Sequence, residues 1–150
     1  MVIPDPLKQL SLRLAQAAGV AWASPLTLAG LLTGLVALPF GARVGYSDAA
    51  VVFHRVPFGP GGALTLGNVI LHTGHSLDES ALTYACRRDG GSDCVRLGDH
   101  ERAHVYQYLV LGPLFLPLYF LCGGISAKNR FEQAADCYAQ TGKGWWPWNR

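Results

Sequence analysis

The sequence predicts an α+β fold: a small antiparallel or mixed sheet and two helices able to carry metal ligands, preceded by apolar N-terminal helices. Three observations carry that prediction. No Asp, Glu, Lys or Arg lies between Arg13 and Arg43. Short β-branched and aromatic runs follow, Ala49 to Pro57 and Ala63 to His72, separated by Gly59-Pro60-Gly61-Gly62. Finally, His100-Glu101-Arg102-Ala103-His104 and Glu132-Gln133-Ala134-Ala135-Asp136 set metal-ligating side chains at helical spacing. At 150 residues the chain makes one integrated domain. Within it, residues 1–42 read as amphipathic and membrane-embedded helices, and residues 43–150 hold the sheet and the ligand-bearing helices.

Hydrophobic residues make up 50% of the chain, charged residues 15%, and mean hydropathy is +0.20. Soluble domains carry about 25% charge, so part of this surface is expected to face a lipid bilayer. A net charge of +2 with scattered basic residues excludes a nucleic-acid partner. The cysteines form no C-x-x-C, which excludes a zinc knuckle or thioredoxin-type site. Cys86 and Cys94 flank a Gly-rich turn where a hairpin would bring them into bonding range, while Cys122 and Cys137 read as buried free thiols.

In chain order, Pro4 to Gly19 predicts an amphipathic helix with Leu7, Leu10 and Leu14 on one face. Ser24 to Phe40 predicts an apolar helix, divided from the first by Pro25, that either spans a bilayer or dips into it as a hairpin. Ala21-Trp22-Ala23 loosely fits a signal-peptide cleavage site, but the new terminus would stay apolar through Phe40, so an uncleaved membrane segment is expected. Gly30 and Gly34, four apart, allow close approach of another helix. Each β-rich run reads as one strand, and Ala81 to Ala85 can pair with Cys94 to Leu97. Asp99 suits the N-cap of the next helix. Trp145, Trp146 and Trp148 suit either a membrane interface or a C-terminal lid on the core.

His100 and His104, one turn apart, can reach one ion, and Glu101 beside them can take a proton from a water that zinc activates. A catalytic zinc needs a third protein ligand and an open position. Glu132 can supply the ligand, and Asp136 can accept the second N–H of a ligand histidine. The competing reading makes all of these solvent-facing charge. The spacing also constrains the path. A straight helix from His104 to Gly124 would carry the chain about 30 Å away, out of reach for Glu132. A reversal is therefore expected at Gly112-Pro113, with a short apolar element re-entering or dipping into the membrane before Gly123-Gly124. His54, His72 and His75 lack ligand spacing, though His72 and His75 are candidates for lining the cleft. Tyr106, Tyr108, Tyr119 and Tyr138 are candidate oxyanion donors.

The paired motifs resemble those of the gluzincins, the thermolysin-like metallopeptidase clan, over roughly residues 99–140. The resemblance implies a minimal zincin-like core with Zn2+ held by His100, His104 and Glu132. It makes Glu101 the general base and Asp136 the partner of a ligand histidine. It also assigns Ala63 to His72 to a strand that binds extended substrate through its backbone. The chain departs from the clan in having no room for a second helical domain. It also resembles small bacterial membrane-associated proteins from Thr65-Leu66-Gly67-Asn68 through the motif, which implies an inner-membrane location. The expected activity is zinc-dependent peptide-bond hydrolysis at or near a membrane surface, on a peptide or membrane-protein substrate. The alternatives are a non-catalytic membrane scaffold or metal-binding protein that retains a zincin fold, and an interaction or membrane-lytic protein in which the motif is accidental.

Overall fold

The computed structural model describes residues 6–59, 61–81, 83 and 95–148. It opens with helix α1 (Pro6–Ala37), a continuous helix of 32 residues, about 48 Å long. The expected break at Pro25 does not occur. The proline ring lies on the exposed side, and contacts on the inner side hold the adjoining turns. Ala23 is fully buried. The Thr27 hydroxyl donates to the Ala23 carbonyl (3.1 Å) and accepts the Asn68 N–H (3.0 Å). One lost backbone bond does not outweigh this packing.

The inner stripe of α1 is built from small residues. The Gly30–Gly34 pair meets the sheet rather than another helix, with Gly30 against Val69 and Leu66 and Gly34 against the Phe53 ring. Gly19 meets the backbone of Leu109. Outward, Leu7, Leu10, Leu14, Leu28, Leu32 and Leu35 are exposed. By length and composition two stretches, Leu7–Phe40 and Leu97–Leu121, are apolar enough to cross a membrane, the second interrupted at Gly112.

Strands β1 (Arg43–Ser47), β2 (Ala50–His54), β3 (Ala63–Leu66) and β4 (Val69–His72) form a mixed sheet in the order β1-β2-β4-β3. β2 and β4 run parallel, and the outer pairs run antiparallel. Two boundaries differ from the sequence expectation. β1 pairs with β2 through the tight turn Asp48-Ala49, with Asp48 at φ 46°. The run Ala63 to His72 is a hairpin rather than one strand, turning at Gly67-Asn68 with Gly67 at φ 61°. A Cβ on Gly67 would also fall 2.7 Å from the Thr27 nitrogen. β5 (Ser80–Ala81) pairs with β6 (Val95–Arg96); Cys86 and Cys94 lie outside the described residues.

Helix α2 (Leu97–Leu111) starts before Asp99, which sits in its first turn rather than at the N-cap. Carbonyls of Glu79 and Leu77 accept the N–H groups of Leu97 and Gly98, replacing a side-chain cap. Asp99 instead pairs with Arg102 (3.2 Å) and Arg96 (3.5 Å), where its charge suits the helix dipole. The chain reverses at Gly112 (φ 53°), whose missing side chain leaves room for the Trp22 ring. A 3-10 turn (Gly112–Leu114) and helix α3 (Phe115–Leu121) follow, then helix α4 (Arg130–Thr141), capped by Asn129.

Alternate strand residues serve two cores. Phe53, Val69 and Leu71 pack with Ala37 on the α1 side, while Val52 and Ile70 pack with Leu97 and Val105 of α2. A third cluster joins Ala23, Tyr108, Phe115 and Phe131 across α1, α2, α3 and α4. The C-terminal tryptophans pack on the domain, Trp145 on Tyr106 and Trp148 on Phe131, as a lid would. Cys122 is half-buried and Cys137 exposed, both free, so neither is the buried thiol expected.

A Cβ at position 34 would overlap the Phe53 ring. Gly34→Ala gains about 1 kcal/mol of helix propensity but overpacks the interface at a cost of about 1–3 kcal/mol. The expected outcome is a lower thermal midpoint in detergent, read by circular dichroism.

Candidate metal centre

α2 and α4 pack side by side and bring their ligand-capable faces together. His100 and His104 are one turn apart, and their Nε2 atoms lie 3.2 Å from each other. From α4, Glu132 Oε2 lies 3.3 Å from His100 Nε2, and Oε1 lies 3.5 Å from His104 Nε2. All three residues are buried, with ligand-capable atoms within 4.8 Å of one another. Atoms about 2.0–2.1 Å from a tetrahedral ion are separated by about 3.3–3.4 Å. The cluster therefore has the spacing to hold a metal ion.

Each imidazole is oriented from its far side. His100 Nδ1 lies 2.9 Å from Asp136 Oδ1, and Asp136 Oδ2 accepts the Thr83 hydroxyl (2.8 Å). His104 Nδ1 lies 2.8 Å from Gln107 Oε1. The Gln107 amide nitrogen donates to the carbonyls of Trp145 (2.8 Å) and Phe131 (3.3 Å), which fixes the amide's orientation. With both Nδ1–H groups donated outward, both Nε2 atoms are left for an ion. Gln107 is the residue that sequence reasoning missed. Its one signal is an amide three positions after His104, on the same helix face.

The electrostatics favour a positive charge here. Burial pulls the His100 pKa down, but hydrogen bonds to Asp136 and Glu132 outweigh it and push the value up to about 10. Burial pushes Glu132 up, but hydrogen bonds from His100 and His104 outweigh that and hold it below the ordinary carboxylate range.

Glu101 is buried beside the cluster without joining it. Its Oε2 accepts the hydroxyl of Thr65, on β3, at 2.6 Å. Of the four candidate oxyanion donors, Tyr119 touches the cluster: its hydroxyl donates to Glu132 Oε1 at 2.6 Å. Tyr106 packs edge to face with Tyr138 and Trp145. Tyr108 is fully buried in the third core, and its hydroxyl has no hydrogen-bond partner among the described residues. His54 and His72 face each other at the ends of β2 and β4, Nδ1 to Nδ1 3.3 Å, apart from the metal cluster. Burial lowers the pKa of both. His72 lines an open pocket with Gly74, Glu79 and Leu97, and His75 is exposed outside that lining.

No protein-family profile, curated protein or solved structure matches the chain.

Gln107→Ala is expected to weaken zinc binding about 10–100-fold with secondary structure retained, measured by competition with a chromophoric chelator. Because a metal must displace the proton held on His100, loading the wild-type chain with zinc near neutral pH is expected to release about one proton per ion. Titration in weak buffer with a pH indicator measures it, and affinity should rise with pH.

Proposed function

We propose that the chain is a zinc-dependent peptidase working at or near a membrane surface. The observation that carries this reading is a His, His, Glu triangle of tetrahedral spacing with a further carboxyl, Glu101, buried next to it and outside the ligand set. Two imidazoles and one carboxylate with an open position are a catalytic zinc arrangement rather than a closed structural one. Bound zinc would supply Lewis acidity, polarising a scissile carbonyl and activating water. Glu101, held from the sheet side by Thr65, would accept a proton from that water and return it to the leaving amine.

The sheet edge supports a peptide substrate. Among the described residues β3 pairs with β4 alone. The Thr73 N–H donates to the Gly62 carbonyl, and the register pairs Leu64 with Leu71 and Leu66 with Val69. By antiparallel alternation, Ala63 and Thr65 turn their backbone groups outward, where an extended peptide can add as a further strand.

The outer face of α1, together with exposed Leu114, Phe120 and Leu121 around α3, supports a bilayer location. In a bacterium this would be the inner membrane, and segments of membrane proteins would be the nearest substrates.

Glu101→Gln is expected to keep zinc at wild-type stoichiometry and to slow peptide hydrolysis by more than about 100-fold. Elemental analysis and cleavage of a quenched fluorescent peptide library in detergent check it. Zinc bound by both proteins with no cleavage by either would favour the non-catalytic metal-binding alternative.

A further inference from the structure

Glu132 presents its two oxygens to the two imidazoles at almost equal reach, Oε2 3.3 Å from His100 Nε2 and Oε1 3.5 Å from His104 Nε2. A carboxylate so placed can ligate through one oxygen or through both. Two-oxygen ligation, added to two imidazoles and a water, would make a five-coordinate ion and take up the position a substrate carbonyl would enter. The helix geometry does not choose between these modes, and Tyr119 does. Its hydroxyl donates to Oε1 at 2.6 Å, a short bond of the charge-assisted kind. That bond draws electron density from Oε1 and fixes the carboxylate plane, leaving Oε2 the stronger donor.

We propose that Tyr119 is a positioning residue that keeps Glu132 a one-oxygen ligand and so reserves a coordination position. The inference rests on the metal-centre reading above.

Tyr119 is itself fixed from several sides. Its ring packs against Phe115 and Phe131 (centroids 5.6 and 6.2 Å) and approaches the His104 ring (6.5 Å). Its carbonyl accepts from the side-chain amide of Asn129 at 3.0 Å. Asn129 is fully buried, and its Oδ1 caps α4 by accepting the Phe131 N–H at 2.9 Å. One residue thus ties the helix that supplies the hydroxyl to the helix that supplies the carboxylate. Phenylalanine fills the same space as tyrosine, so Tyr119→Phe removes the hydrogen bond while keeping the packing.

The test compares the full-length wild type and Tyr119→Phe, each loaded with cobalt(II) and, separately, with zinc. Wild-type cobalt protein is expected to show the strong visible absorption of a four-coordinate ion. In Tyr119→Phe that absorption is expected to fall several-fold as Glu132 closes onto the ion through both oxygens, while zinc is still taken up at the wild-type stoichiometry. X-ray absorption at the zinc edge should show the same rise in coordination number without any assay of activity. Identical spectra and coordination numbers in the two proteins would overturn the proposal and leave the metal centre standing. A five-coordinate wild type would also overturn it. A wild type that takes up neither metal would remove the metal-centre reading, and this proposal with it.

Discussion

The constraint on which this structure turns is the burial of titratable groups. Glu101, Glu132 and Asp136 lie in the interior with His100 and His104, each less than a tenth exposed. Taking such groups out of water is costly unless each finds a partner of opposite character. Here the carboxyl groups accept from imidazoles and hydroxyls, and His100 bridges two of them, Asp136 and Glu132. The network is complete only if a positive charge sits between the carboxyl groups. The raised pKa of His100 and the lowered pKa of Glu132 are two expressions of that demand. A proton meets it in one way, and a metal ion, with more charge in the same place, meets it more fully.

That demand dictates the path of the chain. α2 and α4 must face each other, so the apolar segment between them cannot run straight on as its hydropathy alone allows. Gly112 supplies a backbone conformation other residues rarely adopt, and Trp22 of α1 fills the space above it. Asn129 closes the return by bonding the carbonyls of Tyr119 and Gly124 while capping α4. The glycine stripe of α1 lets the sheet pack closely on one side, and β3 meets α2 on the other through Thr65 and Glu101. The small side chains of α1 face inward and its large apolar ones outward, the reverse of a helix that contributes a water-soluble core.

The parts legible in the sequence were those set by local periodicity. Helical spacing placed His100 with His104 and Glu132 with Asp136, and the reach argument placed the reversal at Gly112. Elements decided by tertiary packing were less legible. Pro25 ordinarily interrupts a helix, yet burial of Ala23 and the bonds of Thr27 carry α1 through it. Apolar content across Ala63 to His72 suggested one strand, although Gly67-Asn68 is a two-residue turn signal at its centre. β1 lacks a clear apolar alternation, and its place at the edge explains why it needs none. The role of Gln107 depends on tertiary contacts, the Trp145 and Phe131 carbonyls that hold its amide.

In this fold single residues join separate elements. Asp136 ties α4 to α2 through His100, Gln107 ties α2 to the C-terminal segment, and Tyr119 ties α3 to α4. Thr65 extends the pattern to the sheet. Its backbone lies at the outward-facing edge of β3, while its side chain holds Glu101. Under the peptidase reading, the residue beside which a substrate strand would add is the one that holds the general base. A peptide that shifts β3 would move Glu101 with it, and one that settles into register would leave the base where the ligand triangle needs it. Substrate alignment and proton transfer would then share one fixed point, relating a peptide's position to the metal centre through a single residue.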